Sequence, residues 1–97
     1  MTSFTALIDR HTGAYGVYFP DIPGCVAMGA TIEEAAVNAA EAMRDWVEVT
    51  VERGGAIPEP RTIEALLADT EVSQDIAAGA LLRSVPLVRH SGLPRAG

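Results

Sequence analysis

A chain of 97 residues is long enough for one small domain and too short for two. With 48% hydrophobic and 21% charged residues it has a globular composition, and no run of about 18 apolar residues offers a membrane span. Thirteen acidic against seven basic residues give a net charge of −6, which opposes phosphate backbones and favours a basic protein partner. The charge is uneven. Residues 31–75 hold eleven of the acids against Arg44, Arg53 and Arg61, whereas the charged residues after 75 are Arg83, Arg89 and Arg95. Met1 to Arg10 lacks the basic start and apolar stretch of a signal peptide, so a cytoplasmic location is expected. A domain of this size buries roughly 60–65% of the surface its unfolded chain exposes. A homodimer or higher oligomer is expected to relieve so thin a core.

Phe4, Ala6 and Ile8 alternate with Thr5, Leu7 and Asp9, which predicts a first strand. A turn over Asp9 to Gly13 leads to a second strand, in which Tyr15, Val17 and Phe19 alternate with Gly16 and Tyr18. Pro20-Asp21-Ile22-Pro23-Gly24 breaks that strand, because neither proline can donate to a ladder and Pro-Gly favours a tight turn. Cys25 to Met28 reads as a short third strand, stopped by Gly29. Cys25 is the only cysteine, so it reads as a small apolar residue rather than a disulfide or zinc ligand.

Thr31 followed by Glu34 is a capping-box pair that starts a long helix. Ala35, Ala39, Met43, Trp46, Val47 and Thr50 recur at three- and four-residue spacing on one face, and Gly54-Gly55 ends it. Ile57 to Pro60 is an extended connector. Thr62 caps a short second helix with Ile63, Leu66 and Leu67, while Asp69 to Ala78 fits either loop or helical turn. Ala80 to Val88 reads as a last strand, which Pro86 places at an edge or bulge. The predicted order is β-β-β-α-α-β, an α+β fold with an antiparallel-type sheet and its helices on one face. Residues 1–90 form the expected domain, and 91–97 a flexible tail.

Three linked segments carry a resemblance to a known family. They are Tyr15 to Cys25, with Phe19, Pro20, Asp21, Pro23, Gly24 and Cys25; then Gly29 to Ala35, with Gly29, Thr31, Glu34 and Ala35; then Asn38 to Glu41. This pattern, with Gly55 to Pro60 after the helix, resembles the HicB antitoxins over roughly residues 4–60, and more loosely from Ala65 to Val88. The resemblance implies a partial RNase H-like fold. It also implies the antitoxin half of a toxin–antitoxin pair, whose partner is HicA, a small basic ribonuclease. Many members of that family carry a C-terminal DNA-binding element. Nine residues after Val88 are too few for one, so no DNA binding is expected from this chain alone.

Candidate contacts with a partner are Tyr18, on the strand face opposite Tyr15, Val17 and Phe19, for which packing under the helix is the alternative, and Asp21, in the proline loop. Glu34, Asn38, Glu41, Asp45, Glu48 and Glu52 step by four and three along one helix face, and Glu41, Asp45 and Glu48 are the candidates for meeting a basic toxin. Turn formation alone accounts for the loop residues, and a solvated helix face accounts for the stripe. The competing readings are a minimal metal-dependent nuclease or hydrolase using Asp9, Asp21, Glu34 or Asp45, and a stand-alone oligomeric regulatory module. Metal catalysis would need several of those carboxylates to converge. His11 reads as a turn residue and His90 as a tail residue. No catalytic residue, cofactor or metal is expected.

Overall fold

The computed structural model describes residues 2–88. Three strands come first: β1 (Ser3–His11), β2 (Ala14–Tyr18) and β3 (Val26–Gly29). Three helices follow, α1 (Ile32–Glu52), α2 (Ile63–Leu67) and α3 (Thr70–Ala77), and then β4 (Leu81–Pro86). The strands form one antiparallel sheet in the order β3-β2-β1-β4, so β1 and β2 are central and β3 and β4 are edges. The β1–β2 ladder runs on to the His11–Ala14 pair, so the turn narrows from the expected five residues to Thr12-Gly13. Pro86 closes β4 at the sheet edge, where its missing N–H costs no ladder bond.

The long helix begins as its sequence dictates. Thr31 Oγ1 accepts from the Glu34 N–H at 3.0 Å. The Glu34 carboxylate reaches one residue further back than a standard capping box and accepts from the Ala30 N–H at 2.7 Å. Ala35, Ala39, Met43 and Val47 are buried with Phe4, Ala6, Ile8, Val17 and Val85 of the sheet and with Phe19 just after β2. Small side chains let α1 lie close to its sheet. The approach is tightest at Gly29, where a Cβ would stand 2.4 Å from the Ala35 backbone nitrogen. Asn38 fastens the same contact, its Nδ2 donating to the Met28 carbonyl at 2.8 Å.

Two sequence expectations change here. The helices occupy both faces of the sheet, and among the described residues there are three of them. Leu7 points away from α1, is wholly buried, and packs with Leu66, Val72 and Ala80, with Tyr18 and Ile76 alongside. Burial on both faces is what the unbroken apolar run Ala6-Leu7-Ile8 permits and what strict alternation hides. The stretch from Asp69 becomes α3 because Asp69 caps it. Its Oδ1 accepts from the Glu71 N–H at 2.9 Å and the Val72 N–H at 3.3 Å. Thr62 caps α2 as expected, accepting from the Ala65 N–H at 3.1 Å. The expected tail, residues 91–97 with His90 before it, lies outside the described residues.

The Gly29 contact yields a stability test. Any side chain at position 29 meets helix backbone, which cannot swing aside as a side-chain tip can. Gly29→Ala should lower stability by about 1–3 kcal/mol, the usual range for overpacking. Urea denaturation of the variant measures it, and an unchanged midpoint would show that α1 can shift without cost.

Candidate partner-binding surface

The proline loop is two consecutive turns. The Ile22 N–H donates to the Phe19 carbonyl and the Cys25 N–H to the Ile22 carbonyl, each at 3.1 Å. Pro20 and Pro23 each follow the first residue of a turn, where a fixed φ is an advantage. Gly24 follows Pro23 with φ +86°, a value that L side chains rarely adopt. Phe19, Ile22 and Cys25 are all buried in the main core, so the loop is pinned at three points. Burial pushes the Cys25 thiol pKa up, which opposes a reactive thiolate.

The Asp21 side chain is turned inward. It is only 7% exposed. It accepts from the Arg61 backbone N–H at 2.9 Å and from Arg61 Nε at 2.5 Å. Arg61 also reaches Asp69 through Nη1 at 3.1 Å. One guanidinium therefore ties the proline loop to the cap of α3, and it holds the Asp69 carboxyl below its ordinary pKa. Sequence reasoning missed Arg61. It lies 40 residues from Asp21 in a connector, and no spacing signals such a pair.

Tyr18 is likewise engaged within the chain. It is half-buried on the face that packs with Leu7, and its hydroxyl donates to Asp75 of α3. Desolvation, then the Asp75 hydrogen bond and the nearby negative charges, raise its pKa well above the ordinary phenol value.

The helix candidates divide. Glu41 and Asp45 are exposed on the side of α1 turned away from the sheet, whereas Glu48 is half-buried. Glu34 is occupied by the cap and Asn38 by Met28. Glu33, one position off the stripe, pairs with Arg83 of β4 at 2.9 Å, which lowers its pKa. The motif residues Gly29, Thr31, Glu34 and Ala35 therefore hold α1 to the sheet.

The carboxylates considered for metal chemistry are scattered. Asp9 is on β1, Asp21 faces Arg61, Glu34 faces the Ala30 N–H and Asp45 is on the exposed side of α1. Among the described residues no three His, Cys, Asp or Glu side chains are placed to share an ion. His11 is exposed at the end of β1, and His90 lies outside the described residues. Among the described residues no helix is long and apolar enough to cross a membrane.

Tyr18 makes stability depend on pH in the alkaline range. The unfolded chain releases the phenol proton near pH 10, while the folded chain keeps it. Above that pH the folded state binds more protons, so stability should be intact below about pH 10 and fall as pH rises beyond it. Urea midpoints at about pH 9 and about pH 11 should drop further for the native chain than for Tyr18→Phe. Equal drops would mean that Tyr18 ionises as freely in the folded state as in the unfolded one.

Comparison with known proteins matches these features to one family. The chain is similar to the N-terminal domain of the Burkholderia pseudomallei antitoxin HicB, at 33% identity and a TM-score of 0.72 over 90% of this chain and 99% of that one. It is similar to a chain of the HicA3 and HicB3 toxin–antitoxin complex, at 25% identity and a TM-score of 0.73 over 90% of this chain and 99% of that one. It is also 34% identical over 64 residues to an uncharacterized 14.9 kDa protein of Haemophilus phage HP1, a match covering 66% of this chain and 48% of that protein. The chain thus spans about half the length of this phage relative. The family model for the HicB-like antitoxins of bacterial toxin–antitoxin systems matches residues 4–87, nearly the whole described chain, and the protein belongs to that family.

Proposed function

We propose that this protein is the antitoxin of a type II toxin–antitoxin pair, and that it binds and neutralises a small basic ribonuclease of the HicA kind by contact. Family membership and the likeness to a chain of the HicA3–HicB3 complex support the reading. The observation that carries it is the outward side of α1, where Glu41 and Asp45 stand exposed with a helical turn between them. In this reading the chain performs no catalysis, uses no cofactor and acts in the cytoplasm. The β1-β2-β3-α1 unit is then the partial RNase H-like portion of the fold. An acidic chain of net charge −6 would add little affinity for promoter DNA.

Glu41, Asp45 and, from its half-buried position, Glu48 steer the toxin toward the helix. Exposed charges such as those of Glu41 and Asp45 contribute little to folding, usually below about 1 kcal/mol each, so removing these two should spare the fold. The Glu41→Gln, Asp45→Asn double variant should bind the co-expressed basic protein of the neighbouring reading frame with an association rate roughly three- to tenfold lower at low salt. The deficit should shrink as salt rises, because the screening length falls from about 10 Å at 0.1 M to about 3 Å at 1 M. Adding Glu48→Gln should deepen it. Stopped-flow association at two salt concentrations, with circular dichroism as the folding control, measures the effect. An unchanged rate at low salt would move the contact surface away from this helix face.

Self-association belongs to the same proposal. Among the described residues β4 is an edge strand with Leu81 51% and Leu82 37% exposed, and no described strand pairs with its outer side. Light scattering at micromolar concentration should report a dimer or larger, and a monomer would remove oligomerisation from this reading.

A further inference from the structure

The acidic side of α1 borders a concave apolar surface. The C-terminal half of the helix and the start of β3 enclose a groove of about 480 Å³, lined chiefly by Val26, Ala42, Asp45, Trp46, Val49 and Arg53. Val26 is 65% and Val49 46% exposed, although both belong to regular elements with a buried side available. Trp46 is half-buried at the groove wall and packs against the main core. Concave apolar surface beside charge is the usual form of an anchor pocket, in which a few buried contacts supply most of the binding energy.

Charge selects the occupant. Asp45 belongs both to the groove and to the exposed acidic side, and Glu41 lies one turn before it. A ligand seated on Val26 and Val49 would meet Asp45 at one flank, with Glu41 a turn beyond the groove, so it should carry an apolar side chain flanked by Lys or Arg. Arg53 at the far end sets a direction, favouring an acidic or carbonyl group there. We propose that this groove is the anchor site for the basic toxin, taking an aliphatic or aromatic side chain from a cationic segment of the toxin surface. The inference rests on the antitoxin reading and adds where the dissociation rate is set, whereas the helix carboxylates govern association.

Trp46 is the only tryptophan in the chain and reports on its own groove. The full chain is mixed with the basic protein of the neighbouring reading frame, any tryptophan of which is replaced by phenylalanine. Complex formation should shift Trp46 emission to the blue and reduce its quenching by acrylamide. Val26→Asp and Val49→Asp, both at exposed positions, should each lower affinity at least tenfold through faster dissociation. Ile63→Asp on α2 alters a residue 46% exposed outside the groove and should bind as the native chain does. Circular dichroism establishes that each variant is folded. Native-like affinity in both groove variants, with Trp46 emission unmoved, overturns the anchor site while leaving the antitoxin reading in place. Failure of the native chain to bind that protein overturns both. Variants that dissolve a homo-oligomer yet keep toxin affinity assign the groove to a second copy of this chain, which also overturns the proposal.

Discussion

The close approach of α1 to the sheet at Gly29 is the constraint from which the rest of the arrangement follows. A missing side chain at this position brings strand backbone against the Ala35 backbone, and the buried alanines keep the helix low along the sheet. Asn38 and the Thr31–Glu34 cap then fix the height and rotation of α1. With the alanine side committed to the core, periodicity leaves Glu41 and Asp45 no direction except outward. A motif that looks like a binding signature thus acts within the fold, by orienting the helix whose outer side is acidic.

The opposite face is held by polar contacts around a small apolar cluster. Leu7, Leu66, Val72 and Ala80 form a nucleus too small to position two short helices alone. Tyr18 reaches Asp75, and Arg61 links Asp21 to Asp69, so both strand-side candidates for partner contact are used in docking α2 and α3. Exposed ion pairs contribute modestly in isolation, but Asp21 is largely shielded from solvent, where screening is weaker. The division of labour is clear: one face of the sheet carries the long helix and its acidic outer side, and the other is closed by a hairpin of helices latched through a guanidinium.

Residues that meet solvent from regular elements complete the functional picture. Val26 and Val49 are two of several exposed apolar side chains among the described residues, and what distinguishes them is that they line one concave wall with a half-buried tryptophan. An acidic helix side and a concave apolar wall lie side by side, with Asp45 common to both. That juxtaposition suits an antitoxin, which must meet its toxin quickly and then hold it.

The sequence alone determined the three-strand opening, the start and burial side of α1, the cap of α2, the choice of edge or bulge for β4 and the family, because each depends on local rules. Hydrophobic alternation, capping pairs and proline geometry act within a few residues, so they are legible in a string. The tertiary structure decided what local rules cannot reach. Leu7 is buried on the second face because α2 and α3 return beneath the sheet, and alternation in β1 does not reveal which face gains a cover. Asp21 turns inward because Arg61, 40 residues away, is brought against it. The groove beside Trp46 forms because the β3 start and the end of α1 converge only after the sheet has set their angle. Contacts distant in sequence depend on the path of the whole chain, and only the fold selects them.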